Sequence, residues 1–342
     1  MLDPVRFRVL CKLDGGLHHR QHRAALTECR RVDDGPGADD GHGDVRRVGR
    51  RSAGAKGRIH RRDPDRPGAN LYNFWMSNES TPTFPRLDPA TPAPIASQGY
   101  RLVKDWTFGR TVSNADELRD NFHTRFIYEN GTLDTLKGEW QRYRDNDNHD
   151  FRNGRFALVA RVSKELKNGQ IESGMLRSRW SGQYGYIEGR MKVPTGRGLW
   201  PAFWINPQDQ IWPPEIDIFE VVDNGRDTTK NSFHFLHLGE GKGRPARATL
   251  LDKFGAYRPG FDYADGFHTF AILWEPGRVR HFVDEKLVVD RPFDWTHKGG
   301  ADAGPAHVLV NLAVGGEWPG PPLRIEDFPA RLEIDFIRVW QK

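Results

Sequence analysis

Cysteine is nearly absent: there are two in 342 residues, Cys11 and Cys29. That excludes a disulfide framework and a zinc module built on cysteine. Long apolar runs are missing too. No window approaches the roughly 18 uninterrupted apolar residues of a membrane-spanning helix, so no membrane partner is expected. No phosphate-cradling glycine loop occurs, and no nucleotide or redox cofactor is implied. Neither Met1 nor Met76 is followed by the basic and apolar regions of a classical secretory signal. Helical periodicity is scarce. The one helix expected lies around residues 114–122, where Ala115-Asp116-Glu117-Leu118 follows a Ser/Asn cap.

What the chain does have is aromatic mass and an uneven charge. Eleven Trp and 20 Phe supply a sizeable core, which excludes wholesale disorder. The net charge is +5, but residues 1–75 alone carry +6, with 14 Arg and 2 Lys against 10 acidic groups. The remaining residues carry −1. Both cysteines and only one tryptophan (Trp75) fall in the first part. That part, as in Arg46-Arg47-Val48-Gly49-Arg50-Arg51, has no hydrophobic period and cannot offset chain entropy by burial. Three readings compete for it: a basic arm for an anionic partner, a disordered extension, or translated sequence upstream of a true start at Met76. The last is preferred, so 1–75 is expected to be disordered and no nucleic-acid partner is expected. The Pro/Thr/Ala-rich stretch within 76–98 reads as a linker.

From Tyr100 to Lys342 short alternating apolar runs are separated by Gly, Pro, Asn and Asp. Strands are expected at 156–162, 184–193, 267–274, 278–284, 306–313 and 332–340. Runs of this length and spacing predict an all-β sandwich rather than βαβ units. No composition break divides 99–342, so one large domain is expected there, and a monomer.

The chemistry sits in Glu215-Ile216-Asp217-Ile218-Phe219-Glu220. In a strand, Glu215 and Asp217 share one face. Strict alternation sends Glu220 into the core, where an unpaired carboxylate is costly. One extra residue, a β-bulge at Ile218-Phe219, returns it to the face of the other two. The two glutamates then stand about four pleat positions apart, roughly 13 Å between Cα atoms. Leaning toward each other, their carboxyls reach the ~5–5.5 Å separation of a retaining glycosidase. Asp217 fits between them, placed to hydrogen-bond one neighbour. Three clustered like charges push at least one pKa upward, which suits a general acid. A second copy, Glu333-Ile334-Asp335, lacks the third carboxylate and reads as a terminal strand with charges at its rim. Aromatic residues flank the first copy: Trp200 and Trp204 before it, Trp212 in Trp-Pro-Pro beside it, and Trp318 in Gly-Gly-Glu-Trp-Pro-Gly. Indoles are platforms for sugar faces.

These stretches carry a resemblance. Tyr184-Gly185-Tyr186-Ile187-Glu188-Gly189-Arg190-Met191-Lys192-Val193-Pro194, the Trp-Pro-Ala-Phe-Trp at 200–204, the run 215–220, Phe267–Trp274, Asn311–Gly316 and Ile334–Trp340 together resemble glycoside hydrolase family 16. The six-residue acidic run resembles its laminarinase-like branch. The resemblance implies a concanavalin-like β-jelly roll with a concave cleft. It implies Glu215 as nucleophile, Asp217 as its electrostatic partner and Glu220 as acid/base. His234 falls where the family often carries a cleft histidine, and Trp204, Trp212 and Trp318 would line sugar subsites. A structural Ca²⁺ on the convex side is implied without assignable ligands, and no cofactor is required. The sequence departs from the laminarinases at Pro214, where they commonly carry Gly, and at His234-Phe235-Leu236-His237.

The expected activity is endo-acting, retaining hydrolysis of β-1,3- or β-1,3-1,4-glucan. The alternatives are a transglycosylase or a hydrolase of an exopolysaccharide or galactan, and a non-catalytic carbohydrate-binding sandwich. Three mutually repelling carboxylates argue against the last. Arg177 and Arg179, close to a subsite strand, would favour an acidic or substituted glycan. A polysaccharide substrate implies export, though no signal is visible.

Overall fold

The computed structural model describes residues 89–136, 138–222, 232–238, 255–257 and 261–342, with backbone alone for 232–238 and 255–257. The readings made for residues 1–75 lie outside the described residues.

Among the described residues seventeen strands follow one another: β1 (Arg101–Thr107), β2 (Phe122–His123), β3 (Gln141–Tyr143), β4 (His149–Arg152), β5 (Arg155–Val162), β6 (Ile171–Ser173), β7 (Met175–Gly182), β8 (Gly185–Lys192) and β9 (Leu199–Pro207), then β10 (Glu215–Val222), β11 (Ser232–Leu238), β12 (Gly255–Tyr257), β13 (His268–Glu275), β14 (Arg278–Val283), β15 (Lys286–Pro292), β16 (Ala306–Val314) and β17 (Ala330–Gln341). Among the described residues one α-helix, α1 (Ala115–Asn121), sits between β1 and β2. Its cap is the one the sequence predicts: Asn114 Oδ1 accepts from the backbone N–H groups of Asp116 and Glu117, both at 3.0 Å.

The strands form two sheets. The larger has ten strands in the order β15-β14-β13-β8-β17-β5-β6-β3, with β1 also pairing β17 and β4 pairing β5. The smaller has seven, ordered β12-β11-β10-β9-β16-β7-β2. This is the expected β-jelly-roll sandwich. Alternation explains how the sheets stack. In β16, Ala306, Val308, Val310, Leu312 and Val314 enter the core between the sheets. His307, Leu309 and Asn311 then project to the other face of the smaller sheet. The same parity sends Phe203 and Ile205 of β9 inward and Ala202 and Trp204 outward, into a separate cluster with Phe126, Tyr143, Met175 and Leu309. The outer face of the smaller sheet is therefore not bare. Loops and β3 build a second layer of packing on it, which frames the site.

Two expectations need correction. The linker expected over 76–98 is, from residue 89 onward, packed structure. Ile95 is fully buried with Tyr186, Leu273 and Trp340 on the outside of the larger sheet, because that face carries apolar side chains which the incoming chain covers. The second acidic copy is last in sequence but not at a rim. β17 lies inside the larger sheet between β8 and β5. Its charges avoid the core by pointing outward to cations: Glu333 to Arg155 at 3.8 Å and Asp335 to Arg190 at 2.6 Å.

Candidate active site

The register around β10 contains the extra residue. Against β9, Asp217 pairs with Trp204 and Phe219 with Phe203, so two steps on β10 match one on β9. Against β11, Asp217 pairs with Leu236 and Glu220 with His234, three steps matching two. Ile218 and Phe219 both point into the inter-sheet core and are fully buried. Glu220 thereby faces the same side as Ala202, its partner on β9, and joins Glu215 and Asp217.

A bulge leaves a backbone carbonyl without its ladder partner, and a buried one needs a donor. The larger sheet supplies it. His281 of β14 is fully buried, and its Nδ1–H donates to the Ile218 carbonyl at 3.2 Å. Burial holds the imidazole pKa down to about 3, so the ring stays neutral. Sequence reading had no means of finding this contact, because the partners lie far apart in the chain and in different sheets.

Each glutamate accepts an indole N–H. Trp212 Nε1 donates to Glu215 Oε2 at 3.1 Å, and Trp200 Nε1 donates to Glu220 Oε1 at 2.8 Å. Trp318 meets Trp200 edge-on, with ring centroids 5.4 Å apart. Trp200, Trp212 and Trp318 are half-buried. Trp204 is placed differently. Only 6% of it is exposed, its Nε1–H donates to Asn311 Oδ1 at 2.7 Å, and it packs among Phe126 and Leu309. It stands beside Asp217, its partner on β10. The backbone of His234 lies opposite Glu220, while its side chain is outside the described residues.

The loops that carry these indoles are tied down. His297 bridges the Pro213 carbonyl at 3.0 Å and Asp209 Oδ2 at 2.8 Å, which anchors the Trp212 segment. Gly315, at φ +71°, lies so close to Trp140 that a Cβ would stand 2.4 Å from the indole ring. Only glycine fits that approach. Its N–H donates to Gly198 O at 2.7 Å, joining the loop before Trp200 to the one that leads to Trp318.

The electrostatics follow from burial without a counter-cation. Burial pushes Glu215 up to about 7, opposed by the Trp212 N–H. Burial and then the Glu215 charge push Glu220 up to about 8, with Glu139 adding to the rise and Trp200 opposing it. Asp217 is raised well above the carboxylate range by burial and by both neighbours. Among the described residues no hydrogen bond joins Asp217 to either glutamate, contrary to the expectation of one. Charge is what couples the three. Glu139, itself buried and accepting from Gln141 Nε2 at 2.5 Å, is a fourth nearby carboxylate that the sequence reading did not single out. Among the described residues no group of three or more His, Cys, Asp or Glu converges to hold a metal. Nor is any helix among them long and apolar enough to cross a membrane.

A β-jelly roll with three carboxylates crowded on one sheet face, two of them held by indole donors, is the framework of a glycoside hydrolase. Residues 137–338 match the pattern of Glycosyl hydrolases family 16, and the chain belongs to that family. A Beta-glucanase of Rhodothermus marinus is 35% identical over 185 residues, 48% of this chain and 60% of that protein. The Endo-1,3-1,4-beta-glycanase ExsH of Rhizobium meliloti (strain 1021) is 30% identical over 183 residues, 52% of this chain and 35% of that protein. The chain thus spans less than two thirds of the length of these two relatives. Among solved structures, the laminarinase catalytic domain of Thermotoga maritima MSB8 is 29% identical with a TM-score of 0.54, covering 71% of this chain and 98% of that domain.

Proposed function

We propose that this chain is an endo-acting, retaining β-glycan hydrolase whose substrate is a β-1,3- or β-1,3-1,4-glucan. The observation that carries the reading is the bulge at Ile218, which sets Glu220 on the face of Glu215 and Asp217. The similar proteins named as a beta-glucanase, a beta-glycanase and a laminarinase support the substrate class.

The groups divide the work by their surroundings. Burial, then Glu215 and Glu139, raise the pKa of Glu220, so it holds a proton to give. It is the acid that protonates the leaving oxygen. Glu215, whose charged form is favoured by the Trp212 N–H, attacks the anomeric carbon. The C–O bond to the leaving sugar breaks as the Glu215–C bond forms. Glu220, now ionised, takes a proton from water, whose oxygen bonds to the anomeric carbon as the Glu215–C bond breaks, and the sugar leaves with its original configuration. Asp217, between them, is the electrostatic partner of the nucleophile, its proton held by burial and by the two glutamates.

The test is activity of the full chain on laminarin and lichenan, with the anomer of the first product followed by NMR. The β-anomer appearing first, with shortening oligosaccharides of many sizes, is the expected result. An α-anomer first, or activity retained in Glu215→Ala, overturns the assignment. Products longer than the donor would show transfer to a sugar hydroxyl in place of water.

A further inference from the structure

The outer face of the smaller sheet carries a second charged feature, opposite in sign to the carboxylates. One row of paired residues crosses the sheet. Asp217 lies opposite Trp204, Trp204 opposite Leu309, Leu309 opposite Arg177, and Arg177 opposite His123. Directly paired residues project to the same face. With strands about 4.8 Å apart, Arg177 stands three steps, roughly 14 Å, from Asp217.

Around Arg177 and His123 opens a cavity of about 510 Å³, also lined by Arg119, Arg125, Arg179 and His307. Its one carboxylate, Asp145, is taken by Arg119 at 3.3 Å. Among the described residues no carboxylate lies within ion-pair reach of Arg125, Arg177 or Arg179. Arg125 donates to the Tyr143 carbonyl at 2.5 Å, and Arg177 Nε to the Arg125 carbonyl at 3.3 Å. Arg179 donates to the Arg119 carbonyl at 2.6 Å and to His123 Nε2 at 3.1 Å. His123 accepts because it is neutral: burial, with Arg177 and Arg179 beside it, holds its pKa down to about 4. Arg177 is half-buried, and its guanidinium is disfavoured by that burial and by Arg179. A solvated surface arginine costs little. Three that converge on one cavity, none with a carboxylate in ion-pair reach, repel one another, and their backbone contacts orient the planar forks instead of neutralising them.

We propose that this cavity is an anion site, which takes a carboxylate borne by the sugar chain. Arginine is the residue whose fork matches a carboxylate. The inference rests on the β-glycan reading for the identity of the chain that carries the charge.

The test measures binding by the full chain carrying Glu215→Gln, which holds polymer without cutting it. Ligands are β-1,3-glucan and carboxymethylated β-1,3-glucan, each at low and high salt. The charged polymer binds about tenfold tighter at low salt, as one or two charge-assisted hydrogen bonds predict, and salt erodes the difference. Added Arg177→Gln, or separately Arg179→Gln at the exposed neighbour, brings the ratio of the two affinities toward one, with thermal unfolding showing each variant folded. Equal affinity for the two polymers, or a preference that survives both substitutions, overturns the proposal. Parent protein that cuts neither polymer, alongside an Arg177-dependent preference, overturns the hydrolase reading and leaves this site standing.

Discussion

The tripeptide Glu-Ile-Asp occurs twice, and the two copies behave as opposites. Both sit in strands interior to their sheets, and both adjoin a bulge: the register of β17 against β8 slips between Ile334 and Phe336, as that of β10 slips after Asp217. In β17 the backbone N–H of Phe108 takes the carbonyl of Asp335 at 2.9 Å, and arginines neutralise both acids. In β10 a buried histidine reaches across the sandwich to the bulge carbonyl, no arginine approaches the acids within ion-pair reach among the described residues, and a third acid follows. A bulge and two carboxylates do not make a site. What distinguishes β10 is the third acid at the position the bulge redirects, with burial in place of a counter-charge.

The comparison is broken most severely by substituting the acids. Glu215→Ala or Glu220→Ala should lower kcat on laminarin by about 10³-fold or more, since each removes a whole catalytic function. Glu333→Gln and Asp335→Asn should leave it within about twofold, exposed ion pairs contributing little. Comparable losses in the two strands would show that the copies do not differ as described.

The two ways of satisfying a bulge come next. His281→Leu leaves the Ile218 carbonyl unpaired in the core, a cost of about 1–3 kcal/mol. For a domain of this size that lowers Tm by several degrees, at ~2–4 °C per kcal/mol. Activity should fall beyond the loss of folded protein, because Glu220 is redirected only while the bulge holds. His281→Asn, which keeps a donor, should recover part of both. A His281→Leu protein with wild-type Tm and kcat would remove the histidine from the account.

The uncompensated charge sharpens the contrast through pH. Glu220 titrates at about 8 in the fold against 4.5 in a free chain, so the folded state binds its proton more tightly. The stability this confers is full below about pH 4.5 and is lost as pH rises through 8. Glu220→Gln should therefore raise Tm relative to wild type at pH 8.5, with the gain shrinking toward pH 4.5. A gain of equal size at both pH values would contradict the burial argument.

The indole donors give the smallest effect. Trp212→Phe removes an N–H that favours ionised Glu215, so the acidic limb of kcat/KM should move up by about one pH unit. Movement in the other direction would mean that the indole does not hold the nucleophile.

Much of this was legible in the sequence, and the limits have physical causes. Six of the strands, β5, β8, β13, β14, β16 and β17, announced themselves by period-two alternation, and the helix by its cap. The bulge was legible because strict alternation would have buried a lone glutamate. Contacts between distant segments were not. The sequence marked Trp200 and Trp212 as aromatic platforms, yet it holds no signal that their N–H groups face carboxylates. Trp204 shares the parity of Trp200 on β9, but it pairs with Asp217 and its donor is claimed by Asn311. Arg177 and Arg179 stood out as cations, but Arg119, Arg125 and His307 reach the same cavity from other elements.

The most direct measurement is the carboxyl-to-carboxyl distance between Glu215 and Glu220 in a crystal of the protein with a bound β-1,3-gluco-oligosaccharide. A separation of about 5–5.5 Å across the glycosidic bond is the predicted result. A Glu220 side chain turned into the inter-sheet core, or a gap of about 6.5 Å or more with room for a water, would contradict it.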